Sequence, residues 1–394
     1  MKKQLLFIIP SLDSGGAEKS LVNLLNSFDY ESYAIDLILL REGGVFLNSI
    51  PTEVHRVQLS SDYNHFTQNI VSSILYFLSH GKIALAWHRL LFTLMNKFQK
   101  NTNKAEQYSW KHLSKAIQLP KKNYDVAIGY LEKTSIYLCV DCVTATKKIG
   151  FIRTDYQQLH LDASFDATYF SKLDAIIANG SNSLETLKKC HPKFASKMSV
   201  MMNVVSPNLI KKRAAEANPF ENNTNTIVSV GRLDKVKGYD LAIKACAKMV
   251  QSNPNIKWFV IGEGSERAAL EQQIKEEKLE HHFVLLGEKE NPYPYISNAT
   301  VYAQTSRFEG RSSTINEAKI VAKPMVVTNF DSVFEQIQSG VNGLIVEKNS
   351  DQIADALLQL LSDTHLQSKF ITHLQSETLG TETEIQKLYT IIQK

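Results

Sequence analysis

A chain of 394 residues is too long for one ordinary hydrophobic core and suits two domains of roughly 150–200 residues each. With 43% apolar and 21% charged residues and a net charge of +4, its composition is that of a soluble globular protein with no nucleic-acid partner expected. Four cysteines are too few for a disulfide framework, so a reducing compartment is expected; Cys139 and Cys142 form a CxxC without a second pair nearby, which favours a buried apolar pair over zinc.

Leu5 to Ile9 is an apolar run closed by Pro10 and Asp13. It is shorter than the ~7–15 residues of a secretory apolar region, so a first buried strand is expected rather than a signal peptide. Ser14-Gly15-Gly16 follows, and the next stretch puts Leu21, Leu24, Leu25 and Phe28 at helical spacing. Strand, glycine turn and helix predict the opening of a doubly wound α/β domain. Residues 34–40, 124–131, 147–152 and 174–179 continue the series of short buried strands.

An insertion at about 64–119 interrupts that series with two very apolar helical stretches. In the second, Lys82, Arg89, Asn96 and Lys100 make one polar stripe, with Trp87, Leu91, Leu94, Met95 and Phe98 on the other side. Residues 80–122 carry nine Lys/Arg against one acid, Glu106. Two readings stand: a basic amphipathic helix on an anionic membrane surface, or an insertion packed into the core with a solvated basic face. No run reaches the ~18 apolar residues of a membrane span. The expectation is a cytoplasmic protein, peripheral at most on the inner face of the cell membrane.

Residues 205–225, with Pro207 and Pro219, read as a polar, irregular linker. The pattern then restarts, with strands predicted at 226–231, 257–262, 283–287, 301–305, 324–328 and 343–347. Helices are predicted from Tyr239 to about Gln251, from about Glu266 to Lys278, and at 314–322 and 351–362. Two tandem α/β domains place a ligand where strand C-termini face a cleft.

Four stretches carry chemistry. Gly15 and Gly16 precede a helix N-terminus, which suits a diphosphate or is a plain tight turn. The absence of GxGxxG argues against a dinucleotide. Gly231, Arg232 and Lys237 stand in a short loop after a strand, where two cations match a pyrophosphate gaining charge as its bond breaks. Gly262 and Gly264 read best as a turn. RFEGRSSTINEA, residues 307–318, holds Glu309 and Glu317. On one helix they would lie about 12 Å apart along the axis and roughly 80° apart around it, outside the about 5–9.5 Å of a glycosidase pair. A loop with a helix starting near Thr314 is expected instead. Ser312, Ser313 and their N–H groups would face a phosphate, Glu309 a sugar, and Glu317 a ribose; Thr314 to Glu317 also fits a capping box.

In this order the four stretches resemble the retaining glycosyltransferases of family 4, which have the GT-B fold of two Rossmann-like domains facing across a cleft. The match lies in Gly15-Gly16, Gly231-Arg232 with Lys237-Gly238, Gly262 with Gly264, and Glu309 with Glu317. It is strong over 226–350, good over 1–40, moderate over 124–205 and almost absent over 60–120. The resemblance implies an acceptor-side domain at 1–205, a nucleotide-sugar domain at 206–380, and a C-terminal helix at 381–394 packing back toward the first. It implies Arg232, Lys237 and Glu309 as catalytic. Gly15, Gly16, Gly231, Gly310, Arg311, Ser312, Ser313 and Glu317 would hold the donor, a UDP-sugar by expectation. No metal or other cofactor is expected. The tail from Glu317 resembles enzymes that build bacterial surface polysaccharides such as capsule, so the resemblance implies a growing glycan as acceptor, with a lipid-linked one compatible with the basic insertion. Arg153 stands where relatives often have His, and an arginine cannot serve as a base at neutral pH. Alternatives are a nucleotide-sugar epimerase on the same fold, or a non-catalytic partner of a transferase.

Overall fold

The structure, a computed structural model, describes residues 2–13, 15–220, 225–309 and 312–393. The chain divides into two units, Met1–Val205 with Thr381–Lys394, and Ser206–Gly380.

The first unit is built on seven strands: β1 (Lys3–Ile9), β2 (Tyr33–Leu39), β3 (Val54–Arg56), β4 (Asn123–Gly129), β5 (Thr144–Ile152), β6 (Ala175–Ala178) and β7 (Met198–Val200). Their order is β3-β2-β1-β4-β5-β6-β7, and every pairing is parallel. A parallel sheet is covered on both faces, which is why β1 reads as an unbroken apolar run. Leu5, Phe7 and Ile9 enter one core, Leu6 and Ile8 the other. The strands β3 and β7 escaped the sequence reading because three residues are too few to show a period. Helix α1 (Gly16–Asn26) follows β1.

Between β3 and β4 lie α2 (Ser61–Phe66), α3 (Ile70–Ser79), α4 (Ile83–Phe98) and α5 (Thr102–Leu113). Their small core holds Phe66, Phe77, Ala86 and Ala116. The predicted polar stripe of Lys82, Arg89, Asn96 and Lys100 is overturned at its first two members, while Asn96 and Lys100 are exposed. Arg89 is buried, lies over the Phe66 and Phe92 rings, and donates to the Gln68 carbonyl at 2.8 Å and to the Thr93 hydroxyl. Lys82 pairs with Asp62 at 2.5 Å. The Gln68 carbonyl, two residues past the end of α2, takes a long 3.5 Å bond from Ser73 Oγ and the shorter one from Arg89 inside. Trp87 and Phe98 consequently point to solvent.

Helices α6 (Thr134–Cys142), α7 (Ala163–Phe170) and α8 (Ser181–Cys190) complete this part of the first unit. Cys139 and Cys142 are free thiols on α6; burial pushes Cys139 up to about 12 and Cys142 up to about 11, so neither is a ready thiolate.

The second unit opens with a correction. Residues 207–214, read as linker, form α9 (Pro207–Ala214), with Pro207 in its first turn and Ser206 capping Leu209 N–H. Its buried residues, Ile210 and Ala214, are too few to show helical spacing. Six strands follow: β8 (Thr226–Val230), β9 (Lys257–Ile261), β10 (Phe283–Leu285), β11 (Val301–Gln304), β12 (Met325–Thr328) and β13 (Leu344–Val346). Their order is β10-β9-β8-β11-β12-β13, again all parallel. Helices α10 (Tyr239–Ser252), α11 (Arg267–Glu276), α12 (Tyr293–Asn298), α13 (Ser313–Ile320), α14 (Ser350–Ser362) and α15 (Thr364–Ser376) connect and flank them. The order reverses between β8 and β11, and such a switch point opens a crevice outside the strand C-termini.

The chain then returns to the first unit as α16 (Ile385–Gln393). Ile385, Leu388 and Ile392 join that unit's core, and Tyr389 stacks on Tyr33 at 5.1 Å.

Candidate active site

The switch point of the second unit is where that unit's described candidates lie. The turn after β8 contains a short 3-10 segment, Lys235–Lys237, capped by the Asp234 carboxylate on Lys237 N–H. The loop after β11 runs from Thr305 to Glu309. The two are laced together. Arg307 N–H donates to the Val236 carbonyl at 2.7 Å, and Thr305 Oγ1 donates to the Lys237 carbonyl at 3.0 Å. The Arg307 guanidinium grips both Asp240 oxygens at 2.7 Å, holding that carboxyl below its ordinary pKa. Gly238 has φ +65, and a Cβ there would sit 2.2 Å from the Thr305 carbonyl oxygen. Only glycine allows the two loops to approach this closely.

That approach brings Lys237 to Glu309. Lys237 Nζ lies 2.6 Å from Glu309 Oε1, which also accepts from Ser306 Oγ at 2.7 Å and Gln304 Nε2 at 3.1 Å. All three donors address Oε1, so they orient the carboxylate with Oε2 turned away from them. Ser332 Oγ holds the Glu309 carbonyl at 3.1 Å. Arg232 is on the same β8 turn, with its side chain 72% exposed and 3.5 Å from Asp234. Gly310 and Arg311 lie outside the described residues.

Helix α13 begins at Ser313, and Ser312 is its N-cap, accepting from Ile315 N–H at 3.3 Å. The capping box expected from Thr314 to Glu317 is therefore not formed. Glu317 falls in the second turn, too far along the helix to reach the open N–H groups, and it is buried. Ser312 was expected to face a phosphate. Instead its amide donates to Gln336 Oε1 at 2.8 Å and its hydroxyl meets Gln304 Oε1 at 2.9 Å. Ser312 thus holds the helix start in place, and Ser313 is the exposed first residue.

Two residues that sequence reading missed organise this cluster. Gln304, at the end of β11, gives its amide N–H to Glu309 while its carbonyl oxygen receives Ser312, Thr314 and Tyr302 hydroxyls at 2.9, 3.1 and 3.1 Å. Gln336 brackets Ser312 from both sides, its Nε2 donating to the Ser312 carbonyl at 2.8 Å. The signal for Gln304 was present, since a polar side chain at the C-terminal end of a buried strand has to be satisfied by something.

In the first unit, Gly15 is the N-cap of α1, and Gly16 is its first residue. Among the described residues a Cβ on Gly16 would meet nothing within 4 Å, so local packing does not require glycine there. Arg153, at the end of β5, is buried. Its guanidinium donates to Ser20 Oγ at 2.6 Å, Asn203 Oδ1 at 2.9 Å and the Tyr130 hydroxyl, and burial lowers its pKa. It ties α1 to the ends of β4 and β7. Gly262 has φ +145 and a Cβ there would strike the Gly231 carbonyl at 2.0 Å, so the Gly262–Gly264 stretch is a close-packed turn. Among the described residues no group of three His, Cys, Asp or Glu side chains is placed to hold a metal ion.

Known proteins resemble this chain in sequence and in fold. Residues 210–376 match the glycosyl transferases group 1 family model. The chain is 26% identical over 375 residues to the N-acetylgalactosamine-N,N'-diacetylbacillosaminyl-diphospho-undecaprenol 4-alpha-N-acetylgalactosaminyltransferase of Campylobacter jejuni, covering 94% of this chain and 93% of that protein. It is 27% identical over 165 residues to the poly(ribitol-phosphate) alpha-N-acetylglucosaminyltransferase of Staphylococcus aureus, covering 40% of this chain and 33% of that one. Among solved structures, Anabaena HepE in complex with UDP and glucose superposes with a TM-score of 0.66 at 17% identity, with both chains covered in full. A mutant of S. aureus TarM, solved with UDP, gives 0.65 at 15% identity, again with both chains covered in full. The fold is GT-B, and residues 210–376 form a glycosyl transferases group 1 domain. The chain is a glycosyltransferase.

Proposed function

We propose that the enzyme is a retaining, metal-independent transferase that moves a sugar from a UDP-sugar to a growing, lipid-linked surface glycan at the inner face of the cell membrane. The observation that carries this reading is the Lys237–Glu309 pair at the switch point, 2.6 Å apart and beside the start of α13. Lys237 and Arg232 supply positive charge to the departing diphosphate, and the α13 N-terminus with Ser313 adds N–H donors and dipole; Gly310 and Arg311 are assigned to the donor by the family resemblance alone. On this reading the two cations and the helix N-terminus take the role a metal would otherwise have. Glu309, oriented through Oε1, offers Oε2 to a hydroxyl of the transferred sugar. Glu317 binds the ribose hydroxyls, and Gly15 and Gly16 are assigned a ligand-approach role by the family resemblance alone. The bond from the anomeric carbon to the phosphate oxygen breaks with its electrons going to UDP. The acceptor hydroxyl attacks the same face, and its proton passes to the leaving phosphate oxygen. No side-chain base is assigned.

Support comes from the relatives' names, which specify alpha-linked products and, in one case, a diphospho-undecaprenol acceptor. An alpha product from an alpha-linked UDP-hexose is retention. The test is donor screening with purified protein and membrane extract, starting from UDP-N-acetylhexosamines and comparing wild type with Glu309→Ala and Lys237→Ala. Transfer by wild type and its loss in both variants is expected. If wild type neither binds nor turns over any UDP- or GDP-sugar, the reading fails. Product epimerised at the sugar without transfer would favour the epimerase.

A further inference from the structure

We infer that α3 and α4 form a two-helix wedge that seats the enzyme on an anionic lipid bilayer through their apolar outer stripes, a reading that rests on the lipid-linked acceptor proposed above. Eleven large apolar side chains stand exposed among the described residues, and seven of them lie on these two helices. On α3 they are Val71, Leu75 and Leu78; on α4 they are Ile83, Trp87, Leu94 and Phe98, with Ile83 70% and Phe98 76% exposed. At about 100° per residue each set falls within roughly 60° of arc. The opposite sides, Phe77 on α3 and Ala86 with Arg89 on α4, face the insertion's own core. Each helix is therefore apolar on two sides, and only one of them is used by the fold. A helix of this kind gains nothing from water on its second side.

Charge selects the occupant. The only acids between residues 61 and 122 are Asp62 and Glu106, and each is paired, with Lys82 at 2.5 Å and Lys133 at 2.6 Å. Lys97, Lys100, Lys111 and Lys115 are exposed along and beyond α4. A second copy of the chain would set these lysines against their own counterparts. Lipid phosphates meet them with opposite charge, while the stripes enter the boundary of headgroups and acyl chains and Trp87 anchors at that level. No helix among the described residues is long and apolar enough to cross a membrane, so the contact lies in the plane of the surface.

The chain carries its own reporter. Trp110 and Trp258 are buried, at 1% and 0% exposure, whereas Trp87 is 58% exposed. With the full chain and vesicles of phosphatidylcholine containing 30% phosphatidylglycerol, tryptophan emission is expected to shift to the blue. Lipids brominated near the headgroup should quench it, and binding should weaken several-fold from low to high salt. The double variant Ile83→Ser/Phe98→Ser alters only exposed side chains and should sediment with these vesicles at least tenfold less. Lys97→Gln/Lys100→Gln should remove only the part that depends on phosphatidylglycerol. An emission spectrum unchanged by every vesicle at low salt overturns the inference. So does a blue shift without lipid accompanied by a doubled mass, which would make the stripes a self-association surface. Turnover of a UDP-sugar with a short, water-soluble acceptor separates the two proposals. Turnover without docking removes the wedge and keeps the transferase; docking without turnover does the reverse.

Discussion

Two regions of this protein reverse the usual placement of polar and apolar groups, and they do so in opposite directions. In the loops after β8 and β11, Lys237, Gln304, Glu309 and Ser312 are drawn inward and held by one another. In the α3–α4 hairpin, Leu75, Trp87 and Phe98 are turned outward while Arg89 is taken in. The first arrangement gives charges a fixed geometry before any ligand arrives. The second leaves area of about 25 cal/mol per Å² uncollected by the fold. The difference teaches that residue type alone marks neither site. What marks both is a residue type set against its burial.

The largest expected effect breaks the loop half of the comparison if it fails. Lys237→Ala should lower kcat by about 10²–10³-fold with the fold intact by circular dichroism, as for removal of one preorganised charge. Full activity in steady-state assays would make the cluster a structural pair. His191 calibrates both regions, being a buried polar group outside either. Its Nε2 has no partner among the described residues, and burial lowers its pKa to about 4. Between pH 6.5 and 4 the unfolded chain binds the proton that the folded one refuses. Stability is therefore present above pH 6.5 and is lost as pH falls, by on the order of 3 kcal/mol at pH 4. Denaturant melts across that range should show the loss, flattened in His191→Phe. Equal slopes would dismiss the buried imidazole as the cause.

Arg89→Met keeps roughly the same volume and leaves the Gln68 carbonyl with the long 3.5 Å bond from Ser73 Oγ in place of the 2.8 Å one, so it should cost about 1–3 kcal/mol in a urea melt without changing turnover. A variant that loses activity and not stability would move Arg89 from the hairpin's interior to its function. Gln304→Leu removes one of the three donors that orient Glu309 and should lower kcat by roughly 10-fold with little change in KM, and Gln304→Glu should not rescue it, because it offers Glu309 no amide N–H. The smallest change is Gly16→Ala. Alanine in a first helical turn gains up to about 1 kcal/mol of stability, so Tm should hold or rise while KM increases a few-fold if a ligand approaches there. An unchanged KM would return Gly16 to an ordinary turn.

Most of the sheet architecture was legible because parallel strands buried on both faces are written as short apolar runs between turns. Lys237 and Glu309 were legible as residue types at strand ends. Their mutual distance was not, because it depends on Gly238 admitting the Thr305 carbonyl. The N-cap was misplaced by two residues because Ser312 and Thr314 are chemically equivalent caps, and the choice fell to Gln304 and Gln336, which hold Ser312. Helix α9 was missed because its outward face is Lys211, Lys212 and Arg213, and a short cationic turn looks like linker.

By itself, then, the sequence determined two tandem parallel α/β sheets, the glycine turns and the set of charged residues at the strand ends, because period and local backbone chemistry act over a few neighbours. It also recorded an apolar, basic insertion. Only the tertiary structure decided which way that insertion faces. Arg89 and Trp87 are two positions apart on one helix, and nothing local ranks them. The carbonyl of Gln68, 21 positions before Arg89 in the chain, takes the arginine's short hydrogen bond inside, and the tryptophan is left outside.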